Sequence, residues 1–157
     1  SFKKKLSLEH LDNSFQNFSQ IIGVHIRGGD YLNAKNKKVF QPIDGDYYIK
    51  SMMYFKSLYK NPIFLIFTDD KNHLKKLLPD IQFNHKFIFN LSSNRNDDFQ
   101  YLSLCDHFII PNSSFSLWAS YLSNNKNKII IKPEIWFKKT YTDKFKTENY
   151  FEDNINL

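Results

Sequence analysis

Short apolar runs bounded by polar turns alternate with stretches of helical spacing from Ile21 to Ile131. "IIGVHI" (Ile21 to Ile26) reads as a buried strand. From Tyr47 to Tyr59, the positions Tyr48, Met52, Phe55 and Tyr59 fall on one face of a helix. Pro62 opens "IFLIF", a second buried strand that runs out into Thr68, Asp69 and Asp70. Lys71 to Leu78 makes a short helix stopped by Pro79. "KFIF" (Lys86 to Phe89) is a third strand, and Asp97 to Cys105 is helical. "HFII" (His107 to Ile110) is a fourth strand, and Ser113 to Leu122 a further helix. "KIII" (Lys128 to Ile131) is a fifth strand before Pro133. No internal repeat or long linker interrupts the alternation.

Strands that are apolar at nearly every position have no face to offer water, so helices must cover both sides of the sheet. The expected fold class is therefore α/β, a doubly wound parallel sheet. Ligands of such sheets bind beyond the carboxyl ends of the strands. Three polar sets follow strands here: Arg27, Gly28, Gly29 and Asp30; Thr68, Asp69 and Asp70; Pro111, Asn112, Ser113 and Ser114. All three are expected on one sheet edge.

Their residue types suit an anion. Arg27 offers fixed N–H donors that stay charged, matched to a diphosphate. Gly28 and Gly29 let the backbone turn with positive φ and approach a ligand closely. Asp30 could hold Arg27 in place, or the two could form a plain ion pair closing a turn. Asn112 is expected as a helix N-cap, leaving the N–H groups of Ser113 and Ser114 to face an anion, with hydroxyls from Ser113, Ser114 and Ser116. Asp69 and Asp70 are placed to accept bonds from a ribose or a guanine, or simply to start a helix. His25 alternates within its strand and reads equally as a core histidine. Tyr47, Tyr48 and Trp118 read as core.

Composition narrows the classes. The 157 residues are 41% hydrophobic and 17% aromatic, enough for one domain with a real core. The net charge of +6 fits solubility, an anionic ligand, or an anionic membrane face. The lysines are scattered, with clusters at Lys3 to Lys5 and around Lys138, Lys139, Lys144 and Lys146, and no basic helical stripe or finger pattern marks a nucleic-acid binder. One cysteine, Cys105, makes no internal disulfide, and no apolar leader is visible, so a reducing, cytoplasmic setting is expected, peripheral to a membrane at most. "CDH" lacks the partner pair of a metal site; Cys105 reads as core. No P-loop pattern and no G-x-G-x-x-G after a strand is present. The Asn-x-Ser acceptor patterns "NFS", "NLS" and "NSS" are set aside on the same expectation of a cytoplasmic chain. The wealth of Lys and Asn resembles the usage of an AT-rich bacterial genome.

Five elements in order resemble the α-1,2-fucosyltransferases of glycosyltransferase family 11. "HIRGGDY" resembles the family's H-x-R-x-G-D-Y. "DGDYY" (Asp44 to Tyr48) resembles the start of the helix that follows it. "IFTDD" resembles F-x-F-S-D-D. "DDFQYLSLCDHFIIPNSSFSLWASYL" resembles the long D-L-x-L-M-S-x-C-x-H-x-I-x-x-N-S-[ST]-F-S-W-W-x-A-x-L element, with Asp98, Ser103, Cys105, His107, Asn112, Ser113, Phe115, Ser116, Trp118 and Ala119 matching. "KIIIKPEIW" resembles K-x-V-x-x-P-x-x-W. Together they span Gly23 to Trp136.

The resemblance implies the Rossmann-like, nucleotide-sugar-binding half of a GT-B fold, with residues 1–20 as a helical lead-in and 21–157 as the donor domain. It implies transfer of fucose from GDP-fucose to a galactose-containing glycan in α-1,2 linkage, with inversion, no cofactor and no required metal. Arg27 would bind the diphosphate and stabilise its departing charge, with His25 beside it and Asp30 as a further catalytic candidate. Gly28, Gly29, Asp69, Asp70, Asn112, Ser113, Ser114, Phe115 and Ser116 would complete the donor site. The general base is open among Asp30, Asp44, Asp46 and a residue of an acceptor half. Gly28 stands where the family usually has a second Arg, and Leu117 where it has the first of two Trp. Two other readings stay in play: a non-catalytic truncated homologue that keeps the fold as a binding domain, and a fold-only match using another nucleotide sugar or a sulfonucleotide.

Overall fold

The structure, a computed structural model, describes residues 19–80, 87–89, 95–142 and 154–156. Of the helical lead-in expected at residues 1–20, residues 1–18 lie outside them, as does Lys86, and the end is corrected: Ser19 is not helical and Gln20 already belongs to the first strand.

Strand β1 (Gln20–Ile26) shows why both sheet faces are covered. Alternate side chains point to opposite faces. Ile22, Val24 and Ile26 enter one apolar cluster, while Ile21 enters another. Strand β2 (Pro62–Thr68) is buried throughout and divides the same way, Phe64 and Ile66 to the first cluster, Ile63, Leu65 and Phe67 to the second. Each fully buried Ile or Phe contributes roughly 1.5–3 kcal/mol relative to exposure.

The first cluster is closed by α1 (Gly45–Leu58) and α2 (Lys71–Leu77). Tyr47, Tyr48, Met52 and Phe55 of α1 are buried there, with Leu74 of α2. Helix α1 starts two residues earlier than its apolar spacing indicates, because the Asp44 carboxylate caps it by accepting the Tyr47 N–H at 3.0 Å. The second cluster is closed by α3 (Arg95–Ser103) and α4 (Ser114–Tyr121), which contribute Leu102 and Ala119.

The remaining strands are β3 (Phe87–Phe89), β4 (His107–Ile109), β5 (Ile130–Lys132) and β6 (Asn154–Asn156); α5 (Lys139–Thr142) precedes β6. All pairings are parallel, in the order β3-β2-β1-β4-β5-β6. Right-handed crossovers from β1 outward in both directions place α1 and α2 on one face and α3 and α4 on the other. The doubly wound α/β expectation is met, and the order is that of a Rossmann-like domain. The sixth strand was not expected, because "NIN" carries a single apolar residue; it pairs parallel with β5. Strand β5 itself starts two residues later than the expected Lys128, since Ile129 precedes the pairing and donates its N–H to His107 Nδ1 at 3.0 Å.

One core expectation fails. Trp118 is 58% exposed, set edge-on against Tyr121 on the outer face of α4. Helix α4 turns only Ser116, Ala119 and Ser120 fully inward, and Trp118 falls outside that stripe. Cys105 is buried as expected, and burial pushes its thiol pKa well up.

Candidate functional site

The strand order reverses between β1 and β4, and a crevice opens at their carboxyl ends. Arg27 leaves β1 there, and Pro111 and Asn112 follow β4. Its side chain is only 17% exposed. Nη1 lies 2.6 Å from Asp69 Oδ2, and Nη2 pairs with Asp30 Oδ1. The guanidinium also lies 5.2 Å from the centre of the Tyr31 ring. Arg27 is thus held by three residues from two loops, which fixes the direction of its fork.

The glycines answer to this packing. Gly29 has φ +44°, in the region that side chains other than glycine rarely adopt. Gly28 does not take the expected positive φ but φ −119°; what it supplies is space, since a Cβ there would meet Asp70 Cβ at 2.6 Å. The Gly28 N–H donates to Asp69 Oδ1 at 2.7 Å. So Asp69 holds both the arginine and the turn beneath it. Asp70 caps α2, accepting the N–H groups of Asn72 at 3.0 Å and His73 at 2.9 Å, and these bonds, that of His73 foremost, lower its pKa. Both acids therefore have structural duties in addition to any contact with a nucleoside.

The loop after β4 corrects the sequence reading. Ser113, not Asn112, is the N-cap residue of α4, and it makes no side-chain cap bond. The Ser113 N–H is spent on Pro111 O at 2.7 Å, so it does not face a ligand. Ser113 and Ser116 are buried, and the Ser116 hydroxyl donates to Ser113 O at 3.2 Å. Ser114 is exposed at the helix start. Phe115 packs against His25 with ring centres 5.3 Å apart, and His25 itself is buried.

Asn112 does something else. It is 3% exposed, and its amide nitrogen donates to Gln41 O at 2.9 Å and to Trp136 O at 2.7 Å. Those two loops also bind each other: the Gln41 N–H donates to Trp136 O at 3.1 Å and the Lys138 N–H to Val39 O at 2.8 Å. The Tyr31 hydroxyl donates to Asn112 O at 2.9 Å, and its ring stacks on Phe40 at 4.4 Å. Burial raises the Tyr31 pKa, with Arg27 pulling the other way. Tyr47 adds a second tie, its hydroxyl lying 2.6 Å from Ile110 O and 3.1 Å from Ile131 O.

These ties enclose a cavity of about 210 Å³, lined among others by Arg27, Lys37, Phe40, His73, Asn112 and Lys138. Its walls are apolar and aromatic, and its polar side chains are cations, amides, phenols and an imidazole, with no carboxylate among them. That chemistry takes a ligand with an anionic part and a flat or apolar part. Of the residues expected at the site, Arg27, Gly28, Gly29, Asp30, Asp69 and Asp70 converge by contact. Ser113 and Ser116 stand behind the loop that Asn112 anchors. Asp44, a candidate base, is the cap of α1. Tyr31 was missed although it closes the H-x-R-x-G-D-Y element; Lys37 and Lys138 were missed because only the closing of two sequence-distant loops on each other brings them to one cavity with Arg27.

A parallel sheet of this order, with an arginine-glycine turn facing an anchored polar loop across the switch point, defines a Rossmann-like domain. Comparison with known proteins makes the class particular. The model of the family "Glycosyl transferase family 11" matches residues 2–155, and the chain belongs to that family. It is 33% identical over 126 residues to an alpha-1,2-colitosyltransferase of Escherichia coli, a match covering 79% of this chain and 43% of that protein. It is 29% identical over 116 residues to the O-antigen biosynthesis glycosyltransferase WbnK of Escherichia coli, covering 73% and 38% respectively. It is 31% identical over 108 residues to the galactoside 2-alpha-L-fucosyltransferase Sec1 of Mus musculus, covering 67% and 29%. The chain thus spans less than half the length of the curated relatives it matches.

Proposed function

We propose that this chain is the donor-binding half of an inverting α-1,2-fucosyltransferase of GT-B architecture. It takes GDP-fucose and serves transfer of the fucosyl group to a galactose-containing glycan without a required metal. The observation that carries the reading is the rigid Arg27 at the β1–β4 switch point, beside a cavity with an aromatic wall. Arg27 lies against the leaving diphosphate and stabilises the charge that develops as the glycosidic bond breaks. Fixed donors of this kind lower a barrier by roughly 3–4 kcal/mol each. Gly28 and Gly29 bring the backbone close to the phosphates. Asp69 and Asp70 lie on the nucleoside side, and Ser114 at the opposite loop.

Calorimetric titration with GDP, GMP, UDP and ADP tests this, with and without EDTA. The expected result is selective GDP binding that EDTA leaves unchanged, weaker GMP binding, and loss of the GDP–GMP difference in Arg27→Ala. Equal binding of all four nucleotides, or none, overturns it. The name of the Escherichia coli relative that is 33% identical favours one second reading, a colitosyl donor in place of the fucosyl donor. Competition between the two sugar nucleotides for this chain separates them.

A further inference from the structure

The charge around Arg27 does not balance in favour of a diphosphate. Its guanidinium meets two carboxylates, Asp69 and Asp30, so the three side chains together carry one net negative charge. A diphosphate brought to that trio alone meets repulsion as well as the arginine fork. Binding a multiply charged anion needs positive charge that no protein carboxylate has already matched.

Two such charges line the same cavity. Lys37 sits in a short 3-10 turn, Asn36–Lys38. Lys138, half-buried, directly follows Phe137, which is bridged to Phe40. Among the described residues neither makes an ion pair, and no Asp or Glu lines the cavity. Their two loops are locked at fixed spacing by the Lys138 N–H to Val39 O bond and by the Asn112 amide that spans to Gln41 and Trp136. The backbone that carries each lysine is therefore set by the fold rather than left to a free loop.

We propose that Lys37 and Lys138 are anion-binding residues of the donor site, supplying the net positive charge that the Asp30–Arg27–Asp69 trio lacks. In this assignment Arg27 provides direction and the lysines provide charge. The proposal rests on the donor-binding reading above for the identity of the ligand, but not for the existence of the anion site.

The test titrates the chain with GDP and, separately, with inorganic pyrophosphate. Lys37→Met and Lys138→Met keep the apolar stem and remove the charge. Lys60→Met and Lys126→Met, in exposed loops that precede β2 and β5 at the opposite sheet edge, are the controls. Each cavity variant is expected to raise the Kd for both probes roughly tenfold and to flatten its dependence on salt, with the controls unchanged. Thermal unfolding of each variant within a degree or two of the parent shows that the fold is kept. Native GDP binding that both cavity variants leave unaltered overturns the lysine assignment and leaves the donor reading standing. Lysine-dependent pyrophosphate binding without GDP binding does the reverse. Binding of neither probe by the native chain overturns both.

Discussion

Replacing Asn112 by Asp changes one atom's chemistry and almost no volume, yet it removes both donors of the loop anchor. The amide nitrogen of Asn112 gives one hydrogen to Gln41 O at 2.9 Å and one to Trp136 O at 2.7 Å. Each bond is worth about 1 kcal/mol net, so losing both costs about 2 kcal/mol. The site is 3% exposed, so an introduced carboxylate is also desolvated and points at two carbonyl oxygens. That adds at least another 1–2 kcal/mol, for a total of about 3–4 kcal/mol at neutral pH. In a domain of this size a loss of that order lowers Tm by roughly 6–16 °C. The effect carries a pH signature. Burial holds the introduced carboxyl's folded pKa above its unfolded value of about 3.9. The variant is therefore least impaired below about pH 4, where the group is neutral in both states, and loses stability as pH rises through the folded pKa. Urea unfolding from pH 3.5 to 8, read as the difference from the parent chain, measures this. Hydrogen exchange at the Gln41 and Lys138 amides reports whether the two loops part first. A variant within about 0.5 kcal/mol of the parent at neutral pH refutes the anchor.

Three further outcomes are expected. Gly29→Ala places a Cβ at φ +44° and 2.9 Å from Asp69 Oδ2, so stability falls by roughly 1–2 kcal/mol in urea unfolding, and Arg27 loses its fixed direction; unchanged stability would show the turn to be adaptable. Asp70 has its folded pKa lowered by the α2 cap bonds, so its contribution is present above the unfolded pKa and is lost as pH falls through the folded one; Asp70→Asn is expected to flatten stability against pH on the acid side, and a parallel profile would contradict this. Cys105, buried with its thiol pKa pushed well up, is expected to react with a thiol reagent at pH 8 only at the rate of unfolding, and labelling as fast as a free thiol would sink that reading.

Much of the site was legible because its residues are adjacent in sequence. The run Arg27 to Asp30 makes its own turn, and Asp70 caps the helix that follows it, so local chemistry announces both. The Asn112 misreading has a specific cause. An Asn before two serines and an apolar helix has a local partner in the first turn. Here two distant carbonyls, Gln41 O and Trp136 O, take the Asn112 amide hydrogens instead. No pattern within Pro111 to Trp118 contains those partners. Trp118 failed for a related reason: helical spacing gives a face, but only the placement of α3 against α4 decides how wide the covered stripe is.

Taken alone, the sequence determined the doubly wound parallel sheet, since strands that are apolar at nearly every position admit no exposed face. It determined that Arg27, Asp69 and Asn112 share the sheet's carboxyl edge, since parallel strands all end on the same side. The tertiary structure decided which groups meet across that edge. It set Asp69 and Asp30 on one guanidinium, Asn112 on two loop carbonyls, and Lys37 with Lys138 at one cavity. Periodicity is a property of neighbours along the chain, whereas charge balance at a site sums over groups that only the fold brings together.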